Sequence, residues 1–289
     1  MKRTLPLCIL ALLLRALPAA GADARASVET CTVDGLTRTY RLYLPEKLPD
    51  GAPLVFVLHG YGSDFNLDHH GFNEAADRHG FAVCYPQGTK DGRGKNCWNV
   101  GYPFQAGMTV DDVSFLCKLA ERLQRKHGLS PASTFCTGMS NGGEMCYLRA
   151  YTRPDAFAAV APISGLTMEW IYRRYDAPVP IPLFEIHGTE DRTSAWLGDP
   201  QNKGGWGAYL PVPLAVHYWA AKNRCTVMQT DTLPAKAPGG RTVIAHRFTG
   251  GAGGSEVWLY EIVGGKHAWG EQDIDTGEEL WKFFSRFVK

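Results

Sequence analysis

The sequence lacks any Cys-x-x-Cys pair among its eight cysteines, and with it the usual spacing of a structural zinc site. An excess of one charge is missing too, since 30 Lys and Arg stand against 29 Asp and Glu. Without Lys2, Arg3 and Arg15 the formal net charge moves from +1 to −2, which is no electrostatic footprint for nucleic acid or an anionic membrane. No long apolar run is present either: Arg15 interrupts the stretch 5–17, which argues against a retained membrane anchor there. No repeat, low-complexity linker or shift of composition divides the chain. Residues 1–22 instead predict a secretory signal, with Lys2 and Arg3 as its basic start and Ala20-Gly21-Ala22 as a small-residue cleavage site. No cysteine stands at that site, which argues against a lipoprotein. The expectation is a secreted or periplasmic protein in which 23–289 form a single domain of unknown oligomeric state.

Export bears on the cysteines. Cys8 leaves with the signal, so Cys31, Cys84, Cys97, Cys117, Cys136, Cys146 and Cys225 remain. An oxidising compartment predicts some disulfides, and the odd count leaves at least one free thiol. Cys84 and Cys136 lie in apolar strand-like runs, where buried free thiols account for them equally well.

What is present is an alternation of strand and helix signals. Residues 27–33 and 36–44 alternate around Asp34-Gly35, a hairpin signal. The continuous apolar runs 53–58, 81–86, 134–139, 156–163 and 180–186 read as strands buried on both faces. Helical patterns lie between them at 72–78, 111–127, 144–149 and 212–223. Strands at 225–233, 242–248 and 257–263 and a last helix at 276–287 complete the chain. Such alternation predicts an α/β fold: a mainly parallel twisted sheet with helices on both faces and an antiparallel N-terminal hairpin.

The chain is organised around Gly138-Met139-Ser140-Asn141-Gly142-Gly143, placed between a strand and a helix. A serine at such a corner sits in a strained turn with its hydroxyl exposed, and glycines two residues to either side allow close backbone approach. The alternative, a plain glycine-rich loop, does not need that strand-to-helix setting. In a parallel sheet all strands end along one edge, where ligands bind. Ser140, Asp191 and His267 each follow a strand, in the chain order of the Ser-Asp-His hydrolases. Ser140 is the candidate nucleophile, His267 the base and Asp191 the acid that orients it. Asp111 and Asp112 compete for the acid role but precede a helix, where capping explains them, and Glu190 would point away from its neighbour Asp191. His59 and His187, each before a glycine at a strand end, read as structural, and the other histidines as surface or satisfied core residues. The N–H groups of Asn141 and Tyr61 are the candidate oxyanion donors, with Gly60 or Gly62 as alternatives to the latter.

At these residues the sequence resembles the secreted esterases of the polyhydroxybutyrate-depolymerase type, including the feruloyl and acetylxylan esterases of carbohydrate esterase family one, with an α/β-hydrolase fold. The resemblance is carried by Leu58-His59-Gly60-Tyr61-Gly62, Asn96-Cys97-Trp98-Asn99, Val110-Asp111-Asp112-Val113, the Ser140 motif and His187-Gly188-Thr189-Glu190-Asp191. Trp219-Ala220-Ala221-Lys222-Asn223-Arg224-Cys225 and Gly264-Gly265-Lys266-His267-Ala268-Trp269-Gly270 extend it over nearly the whole chain. It implies Ser140, Asp191 and His267 as the triad. Where the family often has Gly-Gly-Gly-His-Thr-Trp-Pro, this chain has Gly-Gly-Lys-His-Ala-Trp-Gly.

A triad of this kind needs no cofactor or metal. Trp98, Tyr102, Phe104, Trp196, Trp206 and Trp269 lie in loops at the expected catalytic edge. Loop aromatics suit stacking on a phenolic acid or sugar ring; they can equally anchor long loops to the core, and Trp98 could be wedged by a disulfide at Cys97. With the signal segment they predict an esterase acting on feruloyl or acetyl groups of plant cell-wall polysaccharide, with Trp98, Trp196, Trp206 and Trp269 binding substrate. A polyhydroxyalkanoate depolymerase is the rival within enzymes. A non-catalytic carbohydrate-binding protein on the same scaffold is the rival outside them, and the intact Ser, Asp and His argue against it.

Overall fold

In the computed structural model, residues 25–67, 70–176 and 179–289 are described. The expected signal at 1–22, with Cys8, lies outside the described residues, as does His69. The hairpin forms as its sequence requires: β1 (Ala26–Val33) pairs antiparallel with β2 (Leu36–Tyr43), Val33 opposite Leu36. Asp34 and Gly35 both take positive φ, 49° and 78°, as a two-residue turn of this hand demands.

Next come β3 (Leu54–Leu58), α1 (Phe72–His79) and β4 (Ala82–Pro86), with Gly80 in the left-handed region closing α1. The loop at 87–108 contains a small ribbon, β5 (Thr89–Lys90) against β6 (Asn96–Cys97). The helix α2 (Asp112–His127) starts at Asp111, whose carboxylate accepts from Ser114 N–H at 2.8 Å, so Asp111 is a cap as expected. Asp112 does something else. It is buried, pairs with Arg38 at 2.7 Å and accepts from Asn99 N–H at 2.8 Å, tying the 87–108 loop to the sheet. There follow β7 (Thr134–Met139), α3 (Asn141–Thr152), β8 (Ala159–Ile163), α4 (Glu169–Arg174) and β9 (Leu183–Gly188). The chain closes with α5 (Val212–Lys222), β10 (Val227–Leu233), β11 (Val243–Thr249), β12 (Val257–Ile262) and α6 (Thr276–Phe284).

One sheet of 10 strands results, in the order β1-β2-β4-β3-β7-β8-β9-β12-β11-β10. Its middle, from β4 to β12, is parallel throughout, while β1-β2 and β11-β10 add antiparallel flanks. Every residue of β3, β4, β8 and β9 is buried, as expected for strands covered on both faces. One core holds α2, α3 and α5 side chains such as Leu119, Tyr147 and Trp219, and the other holds α1 and α6 side chains such as Phe72 and Phe283. This is the α/β-hydrolase architecture, and it brings the ends of β3, β7, β9 and β12 onto one edge.

The expected disulfides are corrected by the structure: all seven described cysteines are free thiols, six of them buried. Cys136 and Cys146 share a thiol–thiol hydrogen bond at 3.7 Å with no disulfide between them, and burial pushes the Cys84 thiol well above its ordinary range. Among the described residues no helix is long and apolar enough to cross a membrane, and no cluster of His, Cys, Asp and Glu could hold a metal ion.

Candidate active site

Ser140 follows β7 directly and has φ 56° and ψ −121°, a left-handed conformation that costs a non-glycine residue about 1–3 kcal/mol. Two backbone bonds hold it there, Ser140 N–H to the Ile163 carbonyl at 2.8 Å and Glu144 N–H to the Ser140 carbonyl at 2.9 Å. The turn also needs Gly142, where a Cβ would come within 2.4 Å of the Leu58 carbonyl oxygen at the end of β3. The Ser140 side chain stays partly exposed.

The loop after β3 lies against this corner. A Cβ added at Gly60 would be 3.5 Å from Ser140 Cβ, so Tyr61 sits beside the serine. Neither Tyr61 N–H nor Asn141 N–H donates to another described residue, and Asn141 opens α3, where the helix dipole favours negative charge. Neighbouring bonds fix both groups. Asn141 accepts from Trp98 N–H at 2.7 Å and donates to the Trp98 carbonyl at 3.1 Å. His59 accepts from Gly88 N–H at 3.0 Å through Nε2, so Nδ1 carries the proton and donates to the Gly60 carbonyl at 2.8 Å. Burial lowers His59 to about 4, which keeps it neutral. Its structural reading from sequence agrees with this placement.

Asp191 and His267 meet although 76 residues separate them: His267 Nδ1 donates to Asp191 Oδ2 at 2.7 Å. The other carboxylate oxygen accepts Thr193 and Ser194 N–H, both at 2.8 Å. Burial opposes the charge on Asp191, but the His267 bond and charge, the charge of His187 and the backbone donors hold its carboxyl below the usual range. Glu190 is exposed, away from this pair, as expected. The His267 loop crosses the end of β8, where Ser164 Oγ donates to the Ala268 carbonyl at 3.2 Å. Ser164, like Ser140, has a positive φ, 45°, and nothing in the sequence marked it. Ser140 and His267 are both partly exposed, and His267 Nε2 is left free by the bond that Nδ1 makes to Asp191.

Close packing under the histidine makes a prediction. A Cβ at Gly188 would stand 2.3 Å from the Gly265 carbonyl oxygen, so Gly188→Ala must push the His267 loop outward. We expect a loss of about 1–3 kcal/mol in thermal unfolding experiments. Turnover of a small ester should fall about tenfold or more if His267, the expected base, is displaced.

The four tryptophans separate. Trp98 is fully buried, its indole N–H donating to the His59 carbonyl at 2.9 Å, so its ring offers no stacking surface and the substrate-binding expectation is corrected. No disulfide wedges it; Cys97 instead accepts from Gln105 at 3.3 Å. Trp269 is corrected in the same way: it is 7% exposed, stacked on His70 at 4.6 Å and edge-on to Phe72. Both indoles anchor loops. Trp196 is half-buried and packs edge-on to His187 at 6.0 Å. Trp206 is half-buried in a cluster with Tyr61, Tyr102 and Phe104, ring centres 5.3–5.8 Å from it, and Arg93 covers the Phe104 face at 3.8 Å. Tyr61, on the loop after β3, joins this aromatic wall to the Ser140 corner. Beneath it the Tyr102 hydroxyl donates to Glu144, a wholly buried acid that burial pushes up to about 8.

Comparison with known proteins adds to this geometry. Residues 38–175 match the family described as Esterase PHB depolymerase. The chain is 29% identical over 265 residues to the putative esterase NocK of Nocardia uniformis, covering 86% of this chain and 75% of that one. It is 26% identical to feruloyl esterase D of Neurospora crassa over 96% of both chains. Several other curated relatives are matched over less than half of their own length. Among solved structures, the acetyl xylan esterase of Aspergillus awamori superposes with a TM-score of 0.63 at 16% identity, over 90% of this chain and 99% of that one, a likeness of fold.

Proposed function

We propose that the chain, which has an α/β-hydrolase fold, is a carboxylic ester hydrolase of the polyhydroxybutyrate-depolymerase type that cleaves feruloyl or acetyl esters on plant cell-wall polysaccharide through Ser140, His267 and Asp191. The observation that carries the reading is the His267–Asp191 bond, on the same sheet edge as the strained Ser140. In this mechanism Ser140 Oγ attacks the ester carbonyl while His267 Nε2 accepts its proton. The N–H groups of Tyr61 and Asn141 receive the oxyanion, each contributing about 3–4 kcal/mol of transition-state stabilisation. His267 then returns the proton to the leaving alcohol, and water repeats the sequence to free the acid. Asp191 holds the imidazole tautomer that keeps Nε2 free to accept. Residues 23–289 act as one catalytic domain, outside the cytoplasm.

The phenolic side of the proposal rests on the wall of Tyr61, Phe104 and Trp206 beside the oxyanion loop, where an aromatic acyl group can stack. Trp206→Ala is expected to raise KM for methyl ferulate about tenfold, the loss of one ring contact, and to leave KM for an acetyl ester within about threefold. Steady-state kinetics on the two esters check this. A polyester depolymerase is favoured by the description of the matching family and by a 26% identical relative, poly(3-hydroxyalkanoate) depolymerase C of Paucimonas lemoignei, matched over 44% of its length. Purified protein offered methyl ferulate, acetylated xylan and hydroxybutyrate oligomers decides: preference for the oligomers would overturn the polysaccharide assignment and leave the triad untouched.

A further inference from the structure

Behind Asp191 lies a second histidine that the mechanism above does not use. His187, in β9, has both ring nitrogens against acceptors: Nδ1 is 2.7 Å from Glu185 Oε1 and Nε2 is 2.7 Å from the Ser194 carbonyl. A carbonyl can only accept, so Nε2 carries a hydrogen, and a second proton lies between Nδ1 and Glu185. Burial raises the Glu185 carboxyl, but three donors favour its ionised form, His187, Gly165 N–H at 3.2 Å and the Tyr147 hydroxyl at 3.0 Å, and on that geometry the proton is assigned to the ring. Both side chains of the pair are wholly buried. His187 Nε2 is also 3.6 Å from Asp191 Oδ2, the same oxygen that accepts from His267. One carboxylate oxygen therefore sits between two imidazoles.

We propose that His187 is a positioning residue held permanently as an imidazolium, whose charge keeps Asp191 ionised and sets the pH at which ester hydrolysis begins. The inference rests on the triad reading given above. The groups facing His187 agree with a fixed positive charge. Its own strand supplies Glu185, and the following turn supplies Asp191 and the Ser194 carbonyl. From α3 come Tyr147 and the buried Glu144, whose charge would oppose both Glu185 and Asp191. His267 reaches it through Asp191, and Tyr209 flanks the Ser194 turn by accepting Ala195 N–H at 3.0 Å. A neutral ring would leave Glu185 and Asp191 without a buried counter-charge between them. Burial disfavours the charged ring, but the bond and charge of Glu185, the Ser194 carbonyl and Asp191 outweigh it and hold His187 above its ordinary value. The same contacts explain the turn: the Ser194 carbonyl points to His187 while Ser194 N–H points to Asp191, so one residue registers both groups.

Two measurements test this. In the full chain carrying 15N-labelled histidine, the ring assigned through bonds to residue 187 should show both nitrogens protonated across the neutral range and not titrate there. A single protonated nitrogen, or titration near neutrality, would overturn the proposal. The second reads the acid limb of kcat/KM for p-nitrophenyl acetate in the charge-balanced double variant Glu185→Gln, His187→Gln. The variant removes the cation whose Nε2 is 3.6 Å from Asp191 together with the Glu185 anion on the far side of the ring; the nearer charge dominates, the catalytic base holds its proton more tightly, and the limb should move up by about one pH unit. A structural role alone would lower activity at every pH without moving the limb, and an unmoved limb contradicts the proposal. If that variant does not fold, the wild-type spectrum still decides. The spectrum needs no substrate, so it stands apart from any failure of the esterase reading.

Discussion

Ser140→Ala is expected to lower kcat/KM for any accepted ester by at least about 10^4-fold, equivalent to about 5.5 kcal/mol of transition-state stabilisation. The whole covalent route passes through this one oxygen. What would survive is the background from the proposed oxyanion donors and from binding, since the substitution leaves the backbone N–H groups of Tyr61 and Asn141 in place. Folding should survive as well. The hydroxyl bonds to no other described residue, and the bonds that hold the corner, to Ile163 and from Glu144, are made by the backbone. Alanine pays the same positive-φ penalty as serine, so the melting temperature should stay within a few degrees. Activity near wild type with an intact fold would mean that the nucleophile lies elsewhere.

The second large effect belongs to Asp191→Asn. The volume is nearly unchanged, and Oδ1 can continue to accept from Thr193 and Ser194. The other atom changes its chemistry: an amide NH2 placed 2.7 Å from His267 Nδ1 donates where the carboxylate accepted. The ring then carries its proton on Nε2 and cannot take one from Ser140. A loss of about 10^4-fold in kcat is expected, as for the same exchange in serine proteases, with KM much less affected. The variant should also lose stability on the alkaline side of its wild-type profile. Asp191 has a depressed carboxyl in the fold, so its contribution is present above the ordinary carboxylate range and disappears as pH falls through the folded value. Wild type and variant should therefore converge in stability at strongly acid pH, which pH-resolved thermal unfolding measures.

Much of the architecture could be read from the residues because several levels of signal agreed. Uninterrupted apolar runs such as Leu54–Leu58 are what doubly covered strands need, and Asp34-Gly35 is the turn that a right-twisted hairpin accepts. The Asp191–His267 contact was legible from position alone, since both residues follow strands of one parallel sheet. The aromatics were harder. A loop tryptophan near a catalytic edge looks the same in sequence whether its indole N–H meets a ligand or, as for Trp98, the His59 carbonyl. The disulfide expectation came from the compartment and not from geometry, and six of the seven thiols turn out to be buried. The Glu185–His187 pair was missed although its signal was present: two polar residues at alternate positions of a buried strand share one face and must satisfy each other. Short α4 and the strained Ser164 had no comparable local signature.

The central claim is that Ser140 is a nucleophile served by His267. Incubation with a fluorophosphonate, followed by peptide mass mapping, tests it most directly. One phosphonyl group per chain on the peptide containing Ser140 is expected, formed far more slowly in His267→Ala and absent in Ser140→Ala. Modification at another residue, or undiminished ester turnover by a chain that Ser140 does not label, would contradict it.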